Sequence, residues 1–314
     1  MGESGGVNQF SKPLPRPSRR GQAAWKEFKA KAFRALDRPG TRKLLAIVAA
    51  VHASIKARRL CRVRHEQWWI HEFPNGILVE PRPRLRVLPD IELTVKDMWM
   101  HEYAPSKGDI VFDIGAGTGW ETLCFSRRVG KSGRVISIEG HPGTFACLAE
   151  MCRRNKLQNV TLINCAIMDG PSEVFISDDN DFAQNNVFDV KSGIPVQGRT
   201  LDSIGAPLSR IDLLKCNIEG AERIALKGMT KVIRKVRHVS ISCHDFLADE
   251  GSSELMRSKA EVIAFLEQNG FEIVQRSSDP RPWIRDCVYA RNCDWRPGQI
   301  GAGVEGISQV NVGA

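Results

Sequence analysis

The chain has 314 residues, enough to bury one full core and carry appendages. An apolar fraction of 42% and a charged fraction of 26% exclude a wholly disordered chain, and nine cysteines with no C-x-x-C pair argue against a disulfide framework or a zinc site and for a reduced, cytoplasmic setting. Charge is uneven: residues 1–64 hold 16 Lys/Arg and 3 Asp/Glu, a net +13, which leaves the rest at about −4 of the overall +9. The basic character therefore belongs to an N-terminal arm. An arm of that sign suits an anionic membrane surface, nucleic acid or an acidic partner, or is simply a solvated leader.

Residues 1–20 are rich in Gly, Ser, Pro and Arg and are expected to be disordered. Helices follow at 22–37 and 41–60, separated by Pro39-Gly40. The apolar run Leu44-Leu-Ala-Ile-Val-Ala-Ala-Val51 continues to Ile55, interrupted by His52 and Ser54. At about a dozen residues it is shorter than the ~18–20 a spanning helix needs. It is expected to pack on the main domain, or else to lie on a membrane surface. A lead-in at 65–106 follows, with two short strands between Gln67 and Val79 around Pro74-Asn-Gly76, then a helix at 91–103.

From 107 to 294 strands and helices alternate. Strands are expected at 109–113, 134–139, 159–164, 211–216, 237–243, 271–275 and 286–290, and helices at 142–156, 221–236 and 254–268, with Gly270 capping the last. Such alternation predicts an α/β fold, a mainly parallel seven-stranded sheet with helices on both faces. The last two strands lack a long helix between them, so one of them is expected to run antiparallel. A polar insertion at 170–200, with weak strand signals at 173–177 and 195–200, sits where a substrate cover is expected. Residues 295–314 read as a flexible tail.

Asp113-Ile-Gly-Ala-Gly-Thr-Gly119 lies between an apolar strand and the helical Trp120-Glu-Thr-Leu-Cys-Phe125. A strand, a glycine turn and a helix N-terminus let a nucleotide-like ligand lie against bare backbone. The dinucleotide fingerprint has its third glycine three residues after the second; here Gly115, Gly117 and Gly119 fall two apart, a spacing similar to motif I of S-adenosylmethionine-dependent methyltransferases. Glu139 ends the next strand twenty residues beyond Gly119, where an acid accepts hydrogen bonds from ribose hydroxyls.

Four further pieces sharpen the resemblance: Arg199-Thr-Leu-Asp-Ser-Ile204; the strand Ile211-Asp-Leu-Leu-Lys-Cys-Asn217 running into Ile218-Glu-Gly-Ala-Glu222; Gly228-Met229; and Ser242-Cys-His-Asp245. With the glycine loop and Glu139, the chain over about 107–275 resembles the FkbM-type methyltransferases. That resemblance implies a Rossmann-like class I methyltransferase fold, S-adenosylmethionine as cofactor, and methyl transfer to a hydroxyl of a sugar, polyketide or other small metabolite. It implies cofactor contacts at Asp113, Gly115, Ala116, Gly117, Gly119 and Glu139. After the third strand, Asn164 or Ala166 is expected near the adenine. Glu219 and His244 are the candidates for removing the acceptor's proton, with Glu219 alternatively orienting the acceptor and His244 alternatively structural. Lys215, inside a strand, is expected to pair with a carboxylate.

The chain departs from the family pattern at Gly117, where Asn is common, at Glu139-Gly-His-Pro142 in place of Glu-Pro, and at Asn217, where many members have Asp. A divalent ion at Asn217 and Glu219 is possible but not expected, since hard cations favour charged oxygens. Two rival functions remain open. An RNA methyltransferase would use the basic arm on phosphates, against which stand the slightly acidic core and the absence of an N-P-P-Y-like motif. A non-catalytic binding module would have no need of intact Gly115, Gly117, Gly119 and Glu139.

Overall fold

The computed structural model describes residues 35–177 and 193–296. The leader expected at 1–20, most of the helix expected at 22–37, the polar run at 178–192 and the tail from 297 lie outside the described residues.

Past the break at Pro39-Gly40, helix α1 (Arg42–Ala57) ends at Arg58, which takes a left-handed φ of 51°. Strands β1 (Arg62–His65), β2 (Trp69–Phe73) and β3 (Gly76–Glu80) form an antiparallel sheet in that order. The sequence predicts only the β2–β3 hairpin. β1 escapes it because Arg62-Val-Arg-His65 offers one apolar residue, and its pairing draws on an Arg64–Glu72 ion pair. Leu45, Ala46 and Ala49 of α1 pack on Val63 and Trp69. Asp37 fastens the helix further, accepting from Trp69 Nε1 at 3.0 Å and pairing with Arg42 at 2.7 Å. The basic arm and the lead-in thus meet as one packed unit from Asp37 onward. Helix α2 (Leu88–Met98) starts earlier than predicted, because Pro89 suits a first turn, and stops at Trp99, whose carbonyl is taken by Ser240 Oγ at 3.0 Å.

The main unit runs β4 (Ile110–Ile114), α3 (Trp120–Val129), β5 (Arg134–Glu139), α4 (Pro142–Arg154), β6 (Val160–Asn164), then β7 (Ala166–Ile167), β8 (Ser172–Ile176) and β9 (Ile194–Arg199). It continues with α5 (Leu201–Gly205), β10 (Ile211–Cys216), α6 (Glu222–Lys227), β11 (Val236–Ser242), α7 (Asp245–Asp249), α8 (Lys259–Gln268), β12 (Phe271–Gln275), α9 (Pro282–Arg285) and β13 (Cys287–Asn292). Seven strands make the central sheet in the order β12-β13-β11-β10-β4-β5-β6. β13 alone runs against its neighbours, pairing antiparallel with both β11 and β12. The sheet is therefore mixed, as the missing helix before it predicts. β7, β9 and β8 form a separate small sheet within the insertion.

Central strands are apolar on both sides because both faces are covered. One face packs Phe112, Ile136 and Leu214 against α5, α6 and α8. The other packs Val111, Val135 and Leu213 against α3, α4 and the lead-in.

Two predicted helices are shorter, for reasons remote in sequence. The one expected at 221–236 ends with α6 at Lys227, since Gly228 lies so close to Met168 that a Cβ there would meet its carbonyl oxygen at 2.1 Å. Residues Val232–Lys235 form only a 3-10 turn, entered where Asp202 accepts from the amides of Lys231 (2.9 Å) and Val232 (2.6 Å). The helix expected at 254–268 begins with α8 at Lys259, where Asp245 Oδ1 accepts from the amides of Ser258 (2.9 Å) and Lys259 (3.1 Å).

Candidate active site

The sheet's strand order reverses beside β4, and a cavity of about 460 Å³ opens at the carboxyl ends of the strands there. That is where ligands bind in open α/β sheets, and the volume is that of a small-molecule site.

The glycine turn forms one wall. Gly115, Gly117 and Gly119 take φ of 68°, 56° and 92°, conformations that L side chains rarely adopt. Their tightness has distinct causes. A Cβ on Gly115 would stand 1.8 Å from the carbonyl oxygen of Asn217, and one on Gly119 would meet Met151 Cε at 2.3 Å. Gly115, Ala116 and Gly117 line the cavity, whereas Gly119 lies outside it and lets α3 start close against α4.

Glu139, also lining the cavity, accepts from the amides of Gly117 and His141, both at 2.9 Å. Burial pushes its carboxyl pKa up, and the two amides oppose that shift. One carboxylate thus ties the glycine turn to the start of α4. Asn164 does not line the cavity. Its Nδ2 donates to the carbonyls of Glu139 (2.8 Å) and Gly140 (2.9 Å), bracing that strand end from outside. Cys165, Ala166 and Ile167 do line it, and supply an apolar wall with Ile138 and Ile176.

Asp113 is fully buried beneath the turn and does not reach the cavity. Its Oδ1 lies 2.9 Å from Lys215 Nζ and its Oδ2 accepts from Thr122 Oγ1 at 2.7 Å. Lys215 also donates to the Gly115 carbonyl at 2.8 Å and lies 5.1 Å from the centre of the Trp99 ring. Burial works against its charge, but the carboxylates of Asp113 and Glu121 outweigh it and raise the pKa. Asp113 therefore orients the loop from below; the expected approach to the ligand is blocked by its own partners.

Asn217, Ile218 and Glu219, which follow β10 beside the glycine turn, and Trp283 also line the cavity. Glu219 adopts a left-handed φ of 52°, an unfavourable geometry for a side-chain-bearing residue outside glycine and asparagine. Its Oε2 lies 3.3 Å from His244 Nε2, and Glu222 Oε1 lies 3.2 Å from His244 Nδ1. His244 sits just beyond β11, is buried and does not line the cavity. Burial opposes its charge, yet the two carboxylates raise its pKa to about 10. Both ring nitrogens thus face carboxylates that favour the protonated form. The structure places it behind Glu219 as a support rather than as a free base.

Several lining residues have no sequence signal. Arg84, Arg86, Thr94, Met98 and Trp99 come from the lead-in, so that unit forms a wall of the site. Glu80, at the end of β3, accepts from Trp120 Nε1 and, at 3.3 Å, from Thr118 Oγ1, which pins the turn of the main unit to the lead-in sheet. Arg84 and Arg86 lie 5.7 and 5.3 Å from the Trp120 ring centre. Glu121 and Trp99 join them through a hydrogen bond of 3.2 Å.

A glycine turn after the sheet's central strand, a strand-end carboxylate on the next strand and an antiparallel strand inserted near the far edge define a Rossmann-like class I methyltransferase. A family model, the methyltransferase FkbM domain, matches residues 113–273. The chain belongs to the FkbM methyltransferase family. Among solved structures it is similar to an FkbM methyltransferase from Methylobacillus flagellatus, at 20% identity over 60% of this chain and 45% of that one, with a TM-score of 0.43. It is also similar to a SAM-dependent methyltransferase from Aquifex aeolicus (16% identity; 65% of this chain and 96% of that one; TM-score 0.39). A third is Aeropyrum pernix fibrillarin with bound S-adenosyl-L-methionine (15% identity; 73% and 96%; TM-score 0.38). The match spans less than half the length of the Methylobacillus protein. No curated protein matches the chain in sequence.

Proposed function

We propose that this chain uses S-adenosylmethionine to methylate a hydroxyl oxygen of a small hydroxylated molecule, a sugar, polyketide or similar metabolite. One observation carries the reading: a single cavity is lined by the bare backbone of Gly115–Gly117, the Glu139 carboxylate and the Glu219 carboxylate. Both halves of a methyl transfer have residues to hold them in the same space.

The residues present fit the cofactor. The glycine turn admits a ligand against the backbone, Glu139 offers a carboxylate at a strand end where a ribose diol is expected, and Ile138, Ala166, Ile167 and Ile176 provide apolar cover for a base. The bound cofactor supplies a methyl group on a positively charged sulfur, so transfer needs alignment and removal of the acceptor's proton. Glu219 accepts a hydrogen bond from the acceptor hydroxyl and takes its proton as the oxygen is alkylated. His244 and Glu222 fix the Glu219 side chain in direction, which makes His244 a positioning residue. Trp283, at the rim, gives the acceptor a flat apolar surface.

Titration calorimetry tests the cofactor half. Wild-type protein is expected to bind S-adenosylmethionine and its demethylated product, and Gly117→Arg, shown to be folded by circular dichroism, to lose both. Folded wild-type protein that binds neither would overturn the reading. For the acceptor half, Glu219→Gln is expected to retain cofactor affinity and lose turnover on the hydroxylated compound identified by screening.

A further inference from the structure

Helix α1 is apolar on two opposite faces. Leu45, Ala46, Ala49 and Ala53 point inward to the lead-in sheet and its neighbours. Leu44, Ile47, Val48, Val51 and Ile55 point out and are 49–73% exposed. Their spacing of i, i+3, i+4, i+7 and i+11 draws one straight stripe about 16 Å long. Leu60, just past the helix end, is 78% exposed.

The surroundings of the stripe are one-signed. Helix α1 contains no acidic residue, and Lys43, Arg58, Arg59 and Arg62 lie exposed beside it or just beyond its end. The neighbouring acids are already engaged: Asp37 with Arg42, and Asp90 with Lys56. The preceding segment, residues 1–34, adds eight Lys/Arg against two Asp/Glu.

We infer that this outer face of α1 docks the protein on an anionic lipid bilayer. Aliphatic side chains along a helix, edged by Lys and Arg, match the surface that an interfacial helix lays into the headgroup–acyl boundary. Here the inner face is already packed, so the helix lies flat and presents the stripe as a fixed platform. Among the described residues no helix is long and apolar enough to cross a membrane, so the contact is peripheral. A second copy of the chain fits this face poorly. Lys43, Arg58 and Arg59 would meet their own kind across a two-fold axis, and a single row of five side chains falls short of the about 800 Å² per partner that a stable interface needs.

The test is co-sedimentation of the full chain with vesicles of phosphatidylcholine alone and of phosphatidylcholine mixed equally with phosphatidylglycerol. Wild-type protein is expected to pellet with the anionic vesicles only, and less as salt rises. Arg59→Gln is expected to weaken partition roughly fivefold, the worth of one basic side chain at an anionic surface. Val51→Glu and, separately, Ile47→Ser are expected to leave the protein in the supernatant, with melting temperature and cofactor affinity unchanged to show intact folding. Three results would overturn the inference. Wild-type protein could ignore anionic vesicles. Both variants could bind as well as wild type, which would assign binding to charge alone. Sedimentation velocity could show a dimer that Val51→Glu dissociates, with no vesicle binding, which would assign the face to a second copy.

Discussion

Lys215 and Asp113 face each other across neighbouring strands of the sheet, 2.9 Å apart and at 1% and 0% side-chain exposure, directly under the turn that approaches the ligand. The pair is the electrostatic floor of the site, with Lys215 also holding the Gly115 carbonyl. Breaking a buried pair leaves one charge stranded in low dielectric, at a cost of about 3–5 kcal/mol. Lys215→Met is therefore expected to lower unfolding free energy by about that amount in urea, and the double variant with Asp113→Leu to recover much of it. A Lys215→Met loss below about 1 kcal/mol would show that the charge is not confined.

Glycine substitutions separate tight positions from loose ones. Gly115→Ala puts a methyl into the Asn217 carbonyl at a left-handed φ, so the turn must open. Cofactor affinity is expected to drop at least about tenfold, with a lower melting temperature. Gly170→Ala meets nothing within 4 Å and is expected to be neutral within about 0.5 kcal/mol, which calibrates the comparison.

The His244 triad makes stability fall with rising pH. Its folded pKa is raised to about 10 because Glu219 and Glu222 overcome the effect of burial, from an ordinary value of 6.5. A group shifted up is fully stabilising below about 6.5 and loses that contribution as pH rises through about 10. Urea midpoints of wild-type protein should decline across that window. His244→Gln should start lower and show a flatter profile; parallel profiles would remove His244 as the cause.

Trp283 and Glu219 are expected to split binding from chemistry. Trp283 is 47% exposed at the cavity rim. Trp283→Ala should raise KM for the acceptor with kcat within about twofold, whereas Glu219→Gln should lower kcat by about 10²–10⁴-fold, the usual contribution of a proton acceptor. Steady-state kinetics with both substrates varied distinguishes them.

The central strands were legible in the sequence because they are buried on both faces and read as unbroken apolar runs. The predicted 134–139 and 211–216 coincide with β5 and β10. The glycine turn was legible for a related reason, since only glycine tolerates its backbone. What escaped depends on partners far along the chain. Glu80 reaches Trp120 forty residues away, and Arg84, Arg86 and Trp99 enter the cavity only because that contact seats the lead-in beside the turn. The ends of α6 and α8 are likewise set by Met168, Asp202 and Asp245, which no local pattern announces. The support role of His244 lay closer to view. Glu219, Glu222 and His244 follow the ends of adjacent parallel strands, so two carboxylates beside one imidazole were readable from order alone.

The position of β13 reaches beyond the site. Among the described residues it is the last strand, yet it lies inside the sheet, and β12 touches the sheet only through it. A growing chain therefore cannot seal its own sheet as it is made. Until about residue 292 is free to move, the edge of β11 stays open and β12 has nowhere to bond, so the emerging protein carries an unpaired strand edge from the completion of β11 at Ser242 until β13 is made. Completion comes as a single late insertion that closes both gaps at once.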